Sequence, residues 1–84
     1  MLTTTIVSPE RTLYQGQIEK VFVPGAMGRF EILTGHAPIV SILNSGIVRC
    51  EGPEGSFETA ILGGFVEVAH DEVSLCVECA NEDA

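Results

Sequence analysis

Cationic side chains are scarce in this sequence: four lysines and arginines stand against twelve aspartates and glutamates, and tryptophan is absent. The resulting net charge of −8 repels phosphate backbones and anionic headgroups at range, which argues against nucleic-acid binding. No stretch approaches the ~20 apolar residues of a membrane span, and the N-terminus, Met-Leu-Thr-Thr-Thr-Ile, lacks the basic start of a secretion signal. A cytosolic protein without direct membrane insertion is therefore expected. Cys50, Cys76 and Cys79 make an odd count in such a compartment, so they read as reduced, partly buried thiols.

Long intervals without glycine or proline are also missing. Before Phe65, and outside the first dozen residues, none is long enough for three helical turns, which squeezes helices out. What remains is an apolar fraction of 45%, enough for a core, spread over short runs rich in Val, Ile, Leu and Phe. These predict strands over Thr3 to Val7, Leu13 to Val23, Phe30 to Leu33, Ile39 to Leu43, Ile47 to Glu51, Phe57 to Leu62, Phe65 to Ala69 and Val73 to Val77. Val73, Leu75 and Val77 alternate with Ser74, Cys76 and Glu78, the signature of a half-buried strand. In residues 18–23 the apolar parity shifts, which suggests a bulge or burial on both faces. Gly52-Pro53-Glu54-Gly55 and Ala69-His70-Asp71-Glu72 read as hairpin connections, and Gly63-Gly64 as a bulge or a close backbone approach. At 84 residues the chain holds one domain, 1–84, all-β, a sandwich or small barrel, with a polar, frayed end at 81–84.

The residues that carry chemistry give little to build on. Cys76 and Cys79 have a spacing used in zinc and redox sites, but residues three apart on a strand face opposite ways. His36 could titrate near neutrality, yet no Gly-x-Ser-x-Gly elbow accompanies it, so a structural or interfacial histidine is the simpler reading. Gly25-Ala26-Met27-Gly28 lacks the Lys-Ser/Thr of a phosphate loop and reads as a turn. Glu10, Glu19, Glu31, Glu51 and Glu67 are scattered singly, as solvated strand faces are. Neither a catalytic site nor a cofactor is expected. A biotinyl- or lipoyl-type carrier would share the size and acidity, but its lysine belongs at a hairpin tip, and Lys20, the sole lysine, lies within an apolar run.

Four motifs follow in order: Ile6-Val7-Ser8-Pro9-Glu10, Leu13-Tyr14-Gln15-Gly16, Val21-Phe22-Val23-Pro24-Gly25 with Gly28, and Gly35-His36-Ala37-Pro38-Ile39. With Leu43, Gly46-Ile47-Val48-Arg49 and Gly63-Gly64-Phe65-Val66-Glu67-Val68, this series resembles the epsilon-subunit family of F-type ATP synthases over nearly the whole chain. The resemblance implies a flattened β-sandwich of two antiparallel sheets with about ten short strands. It also implies a non-catalytic rotor subunit of the central stalk that clamps the gamma subunit to the c-ring and couples ion-driven rotation to ATP synthesis. Such a subunit lies peripherally on the cytoplasmic side of an energy-transducing membrane and is not expected to homo-oligomerise. Carried over by position, Ser8 and His36 are implied near gamma, and Gly28 with Arg29 near the c-ring; Phe22 and Ile39 are the apolar side chains expected to support gamma binding. Glu31 stands where many members have Gly, and Thr34 where many have Pro. Typical members continue into a C-terminal helical pair that can inhibit ATP hydrolysis and in some binds ATP. The sequence stops just after the last strand, so neither ability is expected of it.

Overall fold

A computed structural model describes residues 1–80, which hold eight strands and, among the described residues, no helix. They are Leu2–Val7 (β1), Thr12–Ile18 (β2), Lys20–Gly25 (β3), Gly28–Leu33 (β4), Ile39–Leu43 (β5), Gly46–Gly52 (β6), Gly55–Ala69 (β7) and Glu72–Cys79 (β8). The expected frayed end at 81–84 lies outside the described residues.

Pairing links all eight into one continuous sheet in the order β2-β1-β8-β7-β5-β3-β4, with β6 bridging β3 and β7. The continuity comes from β7, which is long enough to belong to two layers. Its residues 64–68 pair with β5 and with β8, whereas residues 55–61 pair with β6. The first layer is therefore β2-β1-β8-β7-β5 and the second is β7-β6-β3-β4, folded over one another into a sandwich of 34 × 29 × 17 Å. Between the layers lies one core, from Ile6, Val66, Leu75 and Val77 on one side to Val21, Val23, Ile32, Val48 and Ile61 on the other. Tyr14 and Phe57 stack at 4.9 Å between ring centroids, tying β2 of the first layer to β7 of the second along one side.

Both hairpin expectations hold. β6 and β7 pair antiparallel up to Gly52 opposite Gly55, and β7 and β8 up to Ala69 opposite Glu72. His70 and Asp71 have φ of 52° and 60°, the two left-handed residues of a type I′ turn, whose twist suits a two-residue hairpin. The pairing register slips between Ile61 and Gly63, which puts the extra residue of the bulge at Leu62, immediately before the glycine pair. Gly64 has φ of 147°, and a Cβ there would lie 2.2 Å from the Cys76 carbonyl oxygen, so only glycine lets β8 approach so closely.

Three details differ from expectation. There are eight strands rather than the about ten that the resemblance implies, and the expected runs 57–62 and 65–69 are one strand because the bulge bends β7 without ending it. The sheets are not wholly antiparallel: β1 pairs parallel with β8, an arrangement open to the first and last strands because the whole chain serves as their crossover. The expected single strand over residues 13–23 is two. The chain bends at Glu19, whose N–H donates to the Glu51 carbonyl at 2.8 Å, as it passes from the first layer to the second. Ile18 and Val21 both face the core from different layers, and this is what shifts the apolar parity.

Candidate docking surface

The outer face of the first layer carries a row of apolar side chains that strand register alone assembles. Ile42 on β5 pairs with Phe65 on β7, Phe65 with Cys76 on β8, and Cys76 with Val7 on β1. Paired residues point to the same side, and strands lie about 4.8 Å apart, so the row runs roughly 15 Å across four strands. Val40, two residues from Ile42, lies on the same face beside Glu67. Val40 is 69% exposed, Ile42 62% and Phe65 41%, far more than side chains of this size on a strand that pack against their own domain. At the β1 end the row opens into a shallow recess of about 540 Å³ lined by Val7, Ser8, Pro9, Phe65 and Cys76 among others.

Ser8 lies at the rim of this face, and His36 in the loop between the two layers that leads from β4 into β5. Ser8 follows β1, and its N–H and hydroxyl both donate to the Arg11 carbonyl, at 2.8 and 3.3 Å. That closes the β1–β2 turn and leaves the side chain mostly buried at the rim of the recess. His36 precedes β5 at the other end, about 20 Å away along the strands. Its N–H donates to the Leu33 carbonyl at 3.0 Å, its Nδ1 lies 2.7 Å from the Ala37 carbonyl oxygen, and its ring tilts against Phe30.

Phe22 and Ile39 are not part of this surface. Phe22 lies on the outer face of the second layer, opposite Glu31 and Arg49, because Val21 and Val23 take the inward positions of β3. Ile39 turns toward the core, and its neighbour Val40 turns outward instead. The outward members Val40, Ile42 and Phe65 escaped notice as contact residues, although β5 reads apolar at both parities, a pattern of strands covered on both sides.

Gly28 and Arg29 occupy the tip of the β3–β4 hairpin. Met27 beside them is fully exposed, and Arg29 donates from Nη1 to the Ile47 carbonyl at 2.9 Å. The β5–β6 turn is latched to this tip: Ala26 N–H donates to the Ile42 carbonyl at 2.9 Å and Asn44 N–H to the Pro24 carbonyl at 2.8 Å. The outer face of the second layer gathers Lys20, Arg29 and Arg49, and Arg49 bridges Glu51 and Glu58. Lys20 opens β3 between Leu33 and Glu51 and does not sit on a hairpin tip, so it is not presented as a carrier lysine would be. Cys76 faces outward and Cys79 inward on β8, so their sulfurs are on opposite faces. No helix among the described residues is long and apolar enough to cross a membrane.

The family described as "ATP synthase, Delta/Epsilon chain, beta-sandwich domain" matches residues 1–83. The ATP synthase epsilon chain of Synechococcus elongatus is 37% identical over 94% of this chain and 58% of that relative. The epsilon chain of Nostoc punctiforme is 38% identical over 94% of this chain and 59% of its own length. The chain thus spans less than two thirds of the curated relatives it matches. A chain in the cryo-EM structure of Euglena gracilis mitochondrial ATP synthase, OSCP/F1/c-ring, superimposes with a TM-score of 0.84 at 23% identity, over 90% of this chain and 49% of that one. One in the Tetrahymena thermophila central stalk and c-ring structure does so with a TM-score of 0.77 at 13% identity, covering 99% and 73%. At such identities the likeness shows a shared fold.

Proposed function

Because the chain belongs to the beta-sandwich domain family of ATP synthase delta and epsilon chains, we propose that it serves as a non-catalytic rotor component that clamps the gamma subunit to the c-ring. The observation that carries the reading is the exposed row of Ile42, Phe65, Cys76 and Val7 with Val40 beside it and Ser8 at its rim. A rotor clamp needs a broad apolar contact on a stiff support. Here the row sits on four hydrogen-bonded strands backed by a second layer, so torque on one strand is shared by its neighbours.

Gamma covers this face in the proposal, and the tip carrying Met27, Gly28 and Arg29 meets the polar loops of the c-ring. The subunit is then peripheral to the membrane, on its cytoplasmic side. The sandwich by itself does not inhibit ATP hydrolysis, which an ATPase assay with and without added domain would read directly.

Mixing the purified domain with a gamma subunit from the same source, at moderate salt, tests the reading by size-exclusion chromatography and calorimetry. One-to-one binding is expected. The double variant Val40→Ser, Ile42→Ser should weaken it at least tenfold while leaving the fold intact, since both side chains are solvated in the isolated domain. Phe22→Ala, on the opposite face, should leave affinity within about twofold. Equal losses for the two variants, or no binding by the wild type, would remove the clamp reading.

A further inference from the structure

The outward positions of β5 and β7 form a two-by-two block on the first-layer face. Val40 and Ile42 stand on β5, and Glu67 and Phe65 are their partners on β7. Three corners are exposed apolar side chains, and the fourth is an exposed carboxylate. Glu67 is two residues from Phe65, about 7 Å along the strand, and lies directly across from Val40. A partner that seats on Val40, Ile42 and Phe65 therefore covers Glu67 as well. Glu78 differs: it lies beyond Cys76 on the other side of the apolar row and pairs with Gly63, so the row can be covered while Glu78 stays in water.

No cation of this chain answers the Glu67 carboxylate. Among the described residues the ion pairs join Arg49 to Glu51 and Glu58, on the second layer. Lys20 and Arg29 share that outer face, and Arg11, in the β1–β2 turn, lines a separate recess with Glu58 and Thr59. Across β8, Glu67 pairs with Ser74, and Ser74 with Thr5 on β1, so only short uncharged side chains follow it in its row. In the isolated domain water solvates the carboxylate, and docking removes that water. An apolar partner surface would leave a covered charge without a counter-charge, a cost large enough to offset the contacts made by its neighbours. An ammonium or guanidinium group removes the penalty, and a guanidinium matches a carboxylate with two parallel hydrogen bonds.

We propose that the gamma segment covering the first-layer face presents a lysine or arginine to Glu67 within its apolar contact. The proposal rests on the clamp reading above and adds the chemistry of the partner surface: apolar side chains for Val40, Ile42 and Phe65, and a cation in register with the fourth corner. The outer face of the second layer does not offer such a site, since its carboxylates Glu51 and Glu58 are already engaged by Arg49. A surface without the cation is rejected, so Glu67 supplies selectivity where the apolar corners supply contact.

Calorimetric titration of gamma from the same source into the wild type, Glu67→Gln, Glu67→Val and Glu31→Gln tests this. The changes at 67 leave the fold intact, because the side chain is exposed on a strand and valine is a strand former. Glu67→Gln should bind at least about tenfold more weakly. Glu67→Val should lose at least as much although it completes the apolar block, since the partner's cation is then covered without a counter-charge. Glu31→Gln removes the same charge from the outer face of the second layer and should leave affinity within about twofold. Glu67→Val binding as tightly as the wild type, or more tightly, would overturn the proposal; if Val40→Ser, Ile42→Ser still weakened binding, the clamp reading would stand without it. Equal losses for Glu67→Gln and Glu31→Gln would also overturn it, because net charge alone would then be at work. If the wild type fails to bind gamma, the clamp reading falls and the proposal with it.

Discussion

Cys50 lies fully buried on β6, and burial pushes its thiol from 9.0 up to about 11. The buried site favours the neutral thiol, while the unfolded chain releases this proton near pH 9. The stabilisation is therefore fully present below pH 9 and is lost as the pH rises toward 11, amounting to about 2–3 kcal/mol. Cys50→Ala should be less stable at neutral pH because of the cavity, yet the gap between variant and wild type should narrow between pH 9 and 11. Urea denaturation of both across that range checks it, and a constant gap would contradict it. Cys76, half-exposed on the docking face, should alkylate in the native domain at pH 8 while Cys50 stays silent, and bound gamma should protect it. The sequence foretold that Cys76 and Cys79 face opposite ways, because alternation on a strand is a strictly local property. It did not foretell that Ile39 faces inward and Val40 outward. Both are apolar, and only the identity of the covering layer separates them.

At the scale of elements, turn chemistry and glycine positions were the most legible part of the sequence. Gly52-Pro53-Glu54-Gly55, Ala69-His70-Asp71-Glu72 and Gly63-Gly64 each lie where the pattern put them, since a hairpin turn or bulge is dictated by a few backbone angles. The split between β2 and β3 at Glu19 was hidden because a strand that changes layers keeps its apolar residues and alters only their parity. The glycine pair also makes the sharpest prediction here. Gly64→Ala meets both a left-handed φ of 147° and a carbonyl oxygen 2.2 Å away, so β8 must move off β7. A loss of at least about 3 kcal/mol is expected, and equilibrium denaturation would show it. The turn offers the opposite change: His70→Asn places a residue tolerant of φ near 52° where a histidine now sits, and a gain of about 0.5 kcal/mol is expected.

For the whole molecule, cations and anions are divided unevenly between its two outer faces. Lys20, Arg29 and Arg49 share the outer face of the second layer with Glu31, Glu51 and Glu58, which leaves that face near neutrality. The net charge of −8 is carried elsewhere, in part by Glu67, Glu72 and Glu78 on the same outer face of the first layer as the apolar row. An 84-residue domain buries only about two thirds of the surface its unfolded chain exposes, so its stability is thin. Leaving Val40, Ile42 and Phe65 in water thins it further, and a partner that covers them returns that stabilisation. Gamma present at one hundred times its dissociation constant should stabilise the domain by about 2.7 kcal/mol, and each kcal/mol raises the melting temperature of a domain this size by about 4–8 °C. The transition should therefore rise by about 10–20 °C in excess gamma, followed by a spectroscopic label confined to this domain so that gamma's own melting does not intrude. The Val40→Ser, Ile42→Ser variant should show a smaller shift at the same gamma concentration, in proportion to the logarithm of its weaker affinity. A shift that is the same for both proteins would mean that gamma, if it binds, does so elsewhere, and the first-layer face would then need another occupant.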